Sequence, residues 1–140
     1  MRQSVVVRQP MPPVAAVVSF IDAINRGDVA HLASLMSDDH RLLVFDESPL
    51  DGKEANIDGW RGYTSSFPDY VIYPHQLVAR NAEVVVLGHT TGSHLDLPDE
   101  QERRLTLLWR AVVRDGRLHL WQLLADTPER RVEFGLGFDT

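Results

Sequence analysis

The chain has 140 residues, the length of one domain, with 14 Lys and Arg against 20 Asp and Glu and a formal charge of −6. That balance and the lack of any basic stripe argue against nucleic acid and anionic membrane as partners, and no apolar run approaches the ~20 residues that span a bilayer. There is no cysteine, which excludes disulfides, thiolate metal sites and a cysteine nucleophile; a cytoplasmic setting is the expectation.

Residues 1–12 read as an irregular lead and residues 13–140 as a single domain. "PVAAVVSFIDAINRGD" has helical spacing, with Val14, Val17, Val18, Ile21 and Ile24 on one face, Pro13 in the first turn and Gly27 at the stop. Asp28 is a good N-cap for a short second helix, "VAHLASLM", which "SDDH" ends. "HRLLVFDE" reads as a strand and "SPLDG" as its turn. A third helix runs from Lys53 to Ser66, with Ile57, Trp60, Tyr63 or Thr64, and Phe67 as its apolar stripe; Gly59 and Gly62 weaken it and Pro68 stops it. The period then switches to two. "YVIYPHQLVA", "EVVVLGHTTGSH", "RRLTLLWRAVVR" and "RLHLWQLLA" are four strands joined by "RNA", "LDLPDEQE" and "RDG". The short turns make antiparallel hairpins. Helices first and a meander after them give an α+β layout.

"FIDAINRGDVAHLASLMSDDH", "GW..Y...FPDY", "VVVLGHTTG" and "DGRLHLWQLLADTP", in that order over about residues 14–128, resemble the nuclear transport factor 2-like superfamily and within it the SnoaL-like, polyketide cyclase-like group. The resemblance implies a cone: three N-terminal helices packed on a strongly curved, mostly antiparallel sheet, with a ligand pocket at the mouth and a homodimer formed through the outer face. It does not transfer a chemistry, because this fold carries many. Where ketosteroid isomerases place an oxyanion-holding tyrosine and aspartate, this chain has Phe20 and Trp109; their general base falls near Val44, with Asp46 two residues on. The positions resembling the Asp–Arg–Asp set of limonene-epoxide-hydrolase-like enzymes are Gly88, Thr90 and Leu123, none ionisable. For the acid/base aspartate of SnoaL-like cyclases, Asp126 is the nearest match and Asp46 the second.

Four residues are therefore candidate acid/base groups: Asp46, His89, His40 and Asp126. His89 is mid-strand, either a pocket residue or a structural one; His94, five residues on, reads as a turn histidine. His40 either caps the second helix or shares a strand face with Leu42, Val44 and Asp46. Trp60, Tyr63, Trp109, Trp121 and Phe20 are candidate ligand-binding residues, as core packing or as an aromatic pocket lining. Leu118, Leu120 and Leu124 share the outward strand face with Gln122, a row that predicts self-association. No His, Asp or Glu spacing suits a metal, and no glycine-rich nucleotide motif is present, so no metal or cofactor is expected. The functional expectation is an apolar pocket for a small hydrophobic metabolite, with cofactor-independent acid/base chemistry of isomerase, cyclase or hydrolase type. The alternatives are a non-catalytic binder and a dimeric interaction module.

Overall fold

Helix α1 spans Pro13–Arg26 in the structure, a computed structural model that describes residues 9–138. Most of the expected lead lies outside the described residues, and its last part, residues 9–12, has no regular structure. The buried face of α1 is Ala16, Val17, Phe20, Ile21, Ala23 and Ile24, while Val14 and Val18 are exposed. The expected stripe is thus rotated toward Phe20, which buries more apolar area than a valine; Ala16 and Ala23 let the helix approach the sheet. Gly27 at φ 63° ends α1. Helix α2 is Val29–Ser34, capped by Asp28, whose side chain accepts from the His31 N–H.

The sheet has six strands: β1 (Met36–Val44), β2 (Leu50–Asp51), β3 (Val71–Arg80), β4 (Glu83–Thr91), β5 (Leu107–Arg114) and β6 (Arg117–Ala125), in the order β2-β1-β6-β5-β4-β3. Every pairing is antiparallel except β1 with β6, which is parallel. Strand β1 starts at Met36, earlier than expected, because Met36 already pairs with Leu118. Two short helices complete the chain, α4 (Asp99–Glu102) and α5 (Pro128–Phe134). The residues "RRLT" at the expected start of β5 lie outside the strand, next to α4. No helix among the described residues is long and apolar enough to cross a membrane.

Three register shifts curve the sheet: between Met36 and Arg41, between Pro74 and Gln76, and opposite Val112/Val113, where His119 is left unpaired. Pro74 is tolerated because β3 is an edge strand. Gly88 faces it, and a Cβ there would overlap the Tyr73 carbonyl. The extra residue at His119 reverses strand parity. Leu118 therefore turns into the main core and is fully buried, while Leu120 stays outward. Leu124 packs with Phe134 and Leu136, which α5 and its following residues lay over Val85, Leu87 and Leu108 on the convex face. Of the expected outward row of leucines only Leu120, itself half-buried, is neither in the main core nor under α5.

Helix α3 (Lys53–Ser66) lies across the concave face. Its apolar stripe is thin: only Asn56 and Trp60 are buried. Asn56 holds it in place. Its Nδ2 donates to the carbonyls of His40 (3.2 Å), Leu50 (3.1 Å) and Gly52 (2.8 Å), tying the helix to β1 and β2.

Two stability measurements check this packing. Leu118→Ala should cost about 2–5 kcal/mol in urea denaturation and Leu120→Ala much less; equal costs would contradict the bulge. His40 is buried, donates from Nδ1 to the Leu118 carbonyl (2.6 Å), and is held by burial below its ordinary value of 6.5. The unfolded chain then binds the extra proton first, so stability present above pH 6.5 declines as pH falls below it. Between pH about 7.5 and about 5.5 the urea midpoint should drop, and drop less in His40→Asn; an unchanged slope would contradict it.

Candidate functional site

A cavity of about 380 Å³ opens between α3 and the concave sheet face. Its walls come from Leu42 and Val44 of β1, Leu107 of β5, Trp121 and Leu123 of β6, and Asn56, Gly59, Trp60 and Tyr63 of α3. Tyr70, Thr90 and Ser93 close the far side, and Phe45, Glu47, Leu50, His94 and Leu95 complete the lining. The size lies within the range of small-molecule sites, as does an apolar wall with a few polar groups.

The polar groups converge at one end. Strand β4 puts Thr90 on the concave face; Gly92, at φ 70°, then turns the chain so that Ser93 and His94 reach the cavity. A Cβ at Gly92 would overlap the Asp69 carbonyl, so the turn requires glycine. The His94 backbone N–H donates to the Tyr63 hydroxyl oxygen (3.2 Å). The same oxygen lies 2.9 Å from His94 Nδ1, a hydrogen bond whose direction is set by the imidazole tautomer. Burial first, and Glu102 behind it, raise the Tyr63 phenol above its ordinary value, so it stays protonated. Burial raises Tyr70 as well.

Glu102, 1% exposed, stands behind this end. Its carboxyl accepts the Thr90 hydroxyl and, at 3.4 Å, the Ser93 N–H. It makes no ion pair among the described residues. Two buried polar atoms in the wall residues have no hydrogen-bond partner among the described residues, Asn56 Oδ1 and Trp60 Nε1. Since Asn56 Nδ2 serves three carbonyls, the amide cannot exchange its two ends.

The structure distributes the expected residues unevenly. Trp60, Tyr63 and Trp121 line the cavity. Phe20 and Trp109 support it from behind, with ring centroids 5.0 Å and 6.4 Å from Trp121. Four candidates lie outside the lining. His40 is buried beside Phe20. Strand β1 ends at Val44 and Phe45 has φ 49°, so the expected parity breaks and Asp46 sits in the turn while Phe45 and Glu47 line the cavity. His89 is on the convex face, stacked on Tyr73 at 4.6 Å with its Nδ1 2.6 Å from His75 Nε2; burial and then His75 lower its pKa. Asp126 binds Arg131 through two contacts (2.8 and 2.6 Å) and accepts from Thr106, and Arg131 first among these keeps its carboxylate ionised. It fastens α5. Sequence reasoning missed His94, Thr90, Ser93 and Glu102. A glycine-steered turn and an acidic helical turn carry no periodic signal that would have found them.

No group of three or more His, Asp or Glu suited to a metal occurs among the described residues. A comparison with curated proteins finds no match. Solved structures show the same fold. A cystatin-fold protein from Novosphingobium aromaticivorans is similar at a TM-score of 0.70 and 16% identity, over 81% of this chain and 98% of that one. A candidate polyketide cyclase from Sinorhizobium meliloti is similar at 0.65 and 20% identity, over 78% and 93%. TerC, co-crystallised with polyporic acid, is similar at 0.65 and 15% identity, over 89% and 98%. The family profile of the SnoaL-like domain matches residues 17–121, three quarters of the chain. With its α+β fold and open, curved six-stranded sheet, the chain belongs to the SnoaL-like domain family.

Proposed function

We propose that the protein binds a small, largely apolar molecule in the cavity beneath α3 and that the Tyr63–His94 pair supplies acid/base capacity at its polar end. The observation that carries this reading is the convergence of Tyr63, His94, Thr90 and Ser93 at one end of an otherwise apolar, aromatic cavity. TerC, of similar fold and co-crystallised with polyporic acid, supports the use of this fold for ligand binding. The chemistry follows from the hydrogen bonds. A ligand O–H or N–H can pass its proton to the Tyr63 oxygen as the Tyr63 proton moves to His94 Nδ1, leaving an imidazolium and a ligand anion. Trp60 and Trp121 give the ligand flat apolar surfaces. The four earlier acid/base candidates act elsewhere on this reading: His40 and Asp126 in holding the fold, Asp46 and His89 at surfaces away from the lining.

A neutral apolar fluorophore, N-phenyl-1-naphthylamine, tests binding. Its emission should rise saturably with the wild-type protein and with Val112→Trp, a convex-face control, but not with Val44→Trp, which fills the cavity. Lack of saturable binding by the wild type would overturn the reading. Once a turned-over compound is in hand, Tyr63→Phe and His94→Gln should each lower kcat by about 100-fold or more, and His89→Gln should leave it unchanged. Self-association is proposed separately, through the convex face at Leu120. Light scattering should give a dimer that Leu120→Glu converts to monomer; a monomeric wild type would refute it.

A further inference from the structure

Charge, rather than shape, narrows the ligand class, given the binding reading above. Among the described residues, the cavity lining contains no lysine and no arginine. Its one charged side chain is Glu47, at the rim loop. Behind Thr90 and Ser93 lies a second carboxyl, Glu102, buried and without a cationic partner among the described residues. Two hydrogen bonds, from the Thr90 hydroxyl and the Ser93 N–H, satisfy part of its accepting capacity. A buried carboxylate left without a counter-charge is costly, and a cation in the adjacent cavity relieves that cost. The walls suit such a cation independently. Trp60, Tyr63, Tyr70 and Trp121 present aromatic rings, whose faces attract ammonium groups. Asn56 Oδ1 is an acceptor without a donor, and Trp60 Nε1 matches an acceptor elsewhere on the ligand.

We propose that the cavity takes an organic cation, an aromatic amine of bicyclic size, with its ammonium group toward Glu102 and its ring among Trp60, Tyr63, Tyr70 and Trp121. The ammonium need not touch Glu102: Thr90 and Ser93 stand between them, and the attraction acts through a water-poor wall. Carboxylates and phosphates are correspondingly disfavoured, because the described lining offers them no lysine and no arginine. Under this assignment Glu102 is a specificity-determining residue that acts through its field.

Isothermal titration calorimetry on the full chain tests the assignment with one skeleton in three charge states: 1-naphthylmethylamine, 1-naphthalenemethanol and 1-naphthoic acid. The amine should bind about tenfold tighter than the alcohol, and the acid weakest. Glu102→Gln should bring the amine down to the affinity of the alcohol and leave the alcohol unchanged. Glu47→Gln, at an exposed position, keeps the test available if the buried variant fails to fold, and should lower amine affinity alone. An alcohol that binds as tightly as the amine, or an acid that binds best, overturns the charge assignment while leaving the cavity reading intact. Failure of all three probes, together with failure of the neutral fluorophore, overturns the cavity reading as well.

Discussion

Asn56 is the constraint on which the site depends. Helix α3 has too little apolar surface to be placed by burial, with only Asn56 and Trp60 withdrawn from solvent. Three carbonyls from β1, β2 and the turn between β2 and α3 converge on one amide nitrogen and set the helix across the concave face. A buried amide with its donors in use fixes both position and rotation. That rotation aims Trp60 and Tyr63 at the sheet and leaves the space between them and Trp121 unfilled. The hydrophobic work of the fold is done elsewhere, by α1 through Phe20, Val17 and Ile24 against the strands. Separating the two tasks lets a stable core coexist with an open cavity.

The cavity is polarised along its length. Apolar strands and aromatic rings make most of the wall, and polar atoms gather where β4 leaves the sheet. There Gly92 reverses the chain, Tyr63 gathers the backbone and ring of His94, and Glu102 backs Thr90 and Ser93. The hydrogen-bonded Tyr63 and His94 and the buried Glu102 carboxyl thus gather at one end of a largely apolar space. The convex face carries its own polar cluster, His75, His89 and Tyr73, separated from the cavity by the sheet.

Much of this architecture is legible in the sequence. The bounds of α1 and α3 follow from proline, glycine and spacing, and the switch to period two announces the meander. Trp60, Tyr63 and Trp121 stand out in the sequence as core or lining aromatics, but the rotation of α3 that turns both Trp60 and Tyr63 to the cavity is not readable from its period. What misleads is parity wherever a strand is irregular. A single extra residue at His119 sends Leu118 into the core and strands Leu120 outside. A left-handed Phe45 ends β1 and takes Asp46 out of the wall. His94 looks like a turn residue and is one, yet the turn folds back over the cavity. Glu102 ends "LDLPDEQE", which reads as a connection between two strands; its burial arises from α4 packing against β4, a contact no local pattern announces.

The account's central claim is that ligand occupies the concave cavity beneath α3. The most direct measurement is side-chain NMR of the protein during titration with 1-naphthalenemethanol. The account predicts that the indole N–H signals of Trp60 and Trp121 and the ring signals of His94 move together and saturate, while the imidazoles of His75 and His89 stay in place. Movement of His75 and His89 with an unchanged Trp60 would put the ligand on the convex face and contradict it.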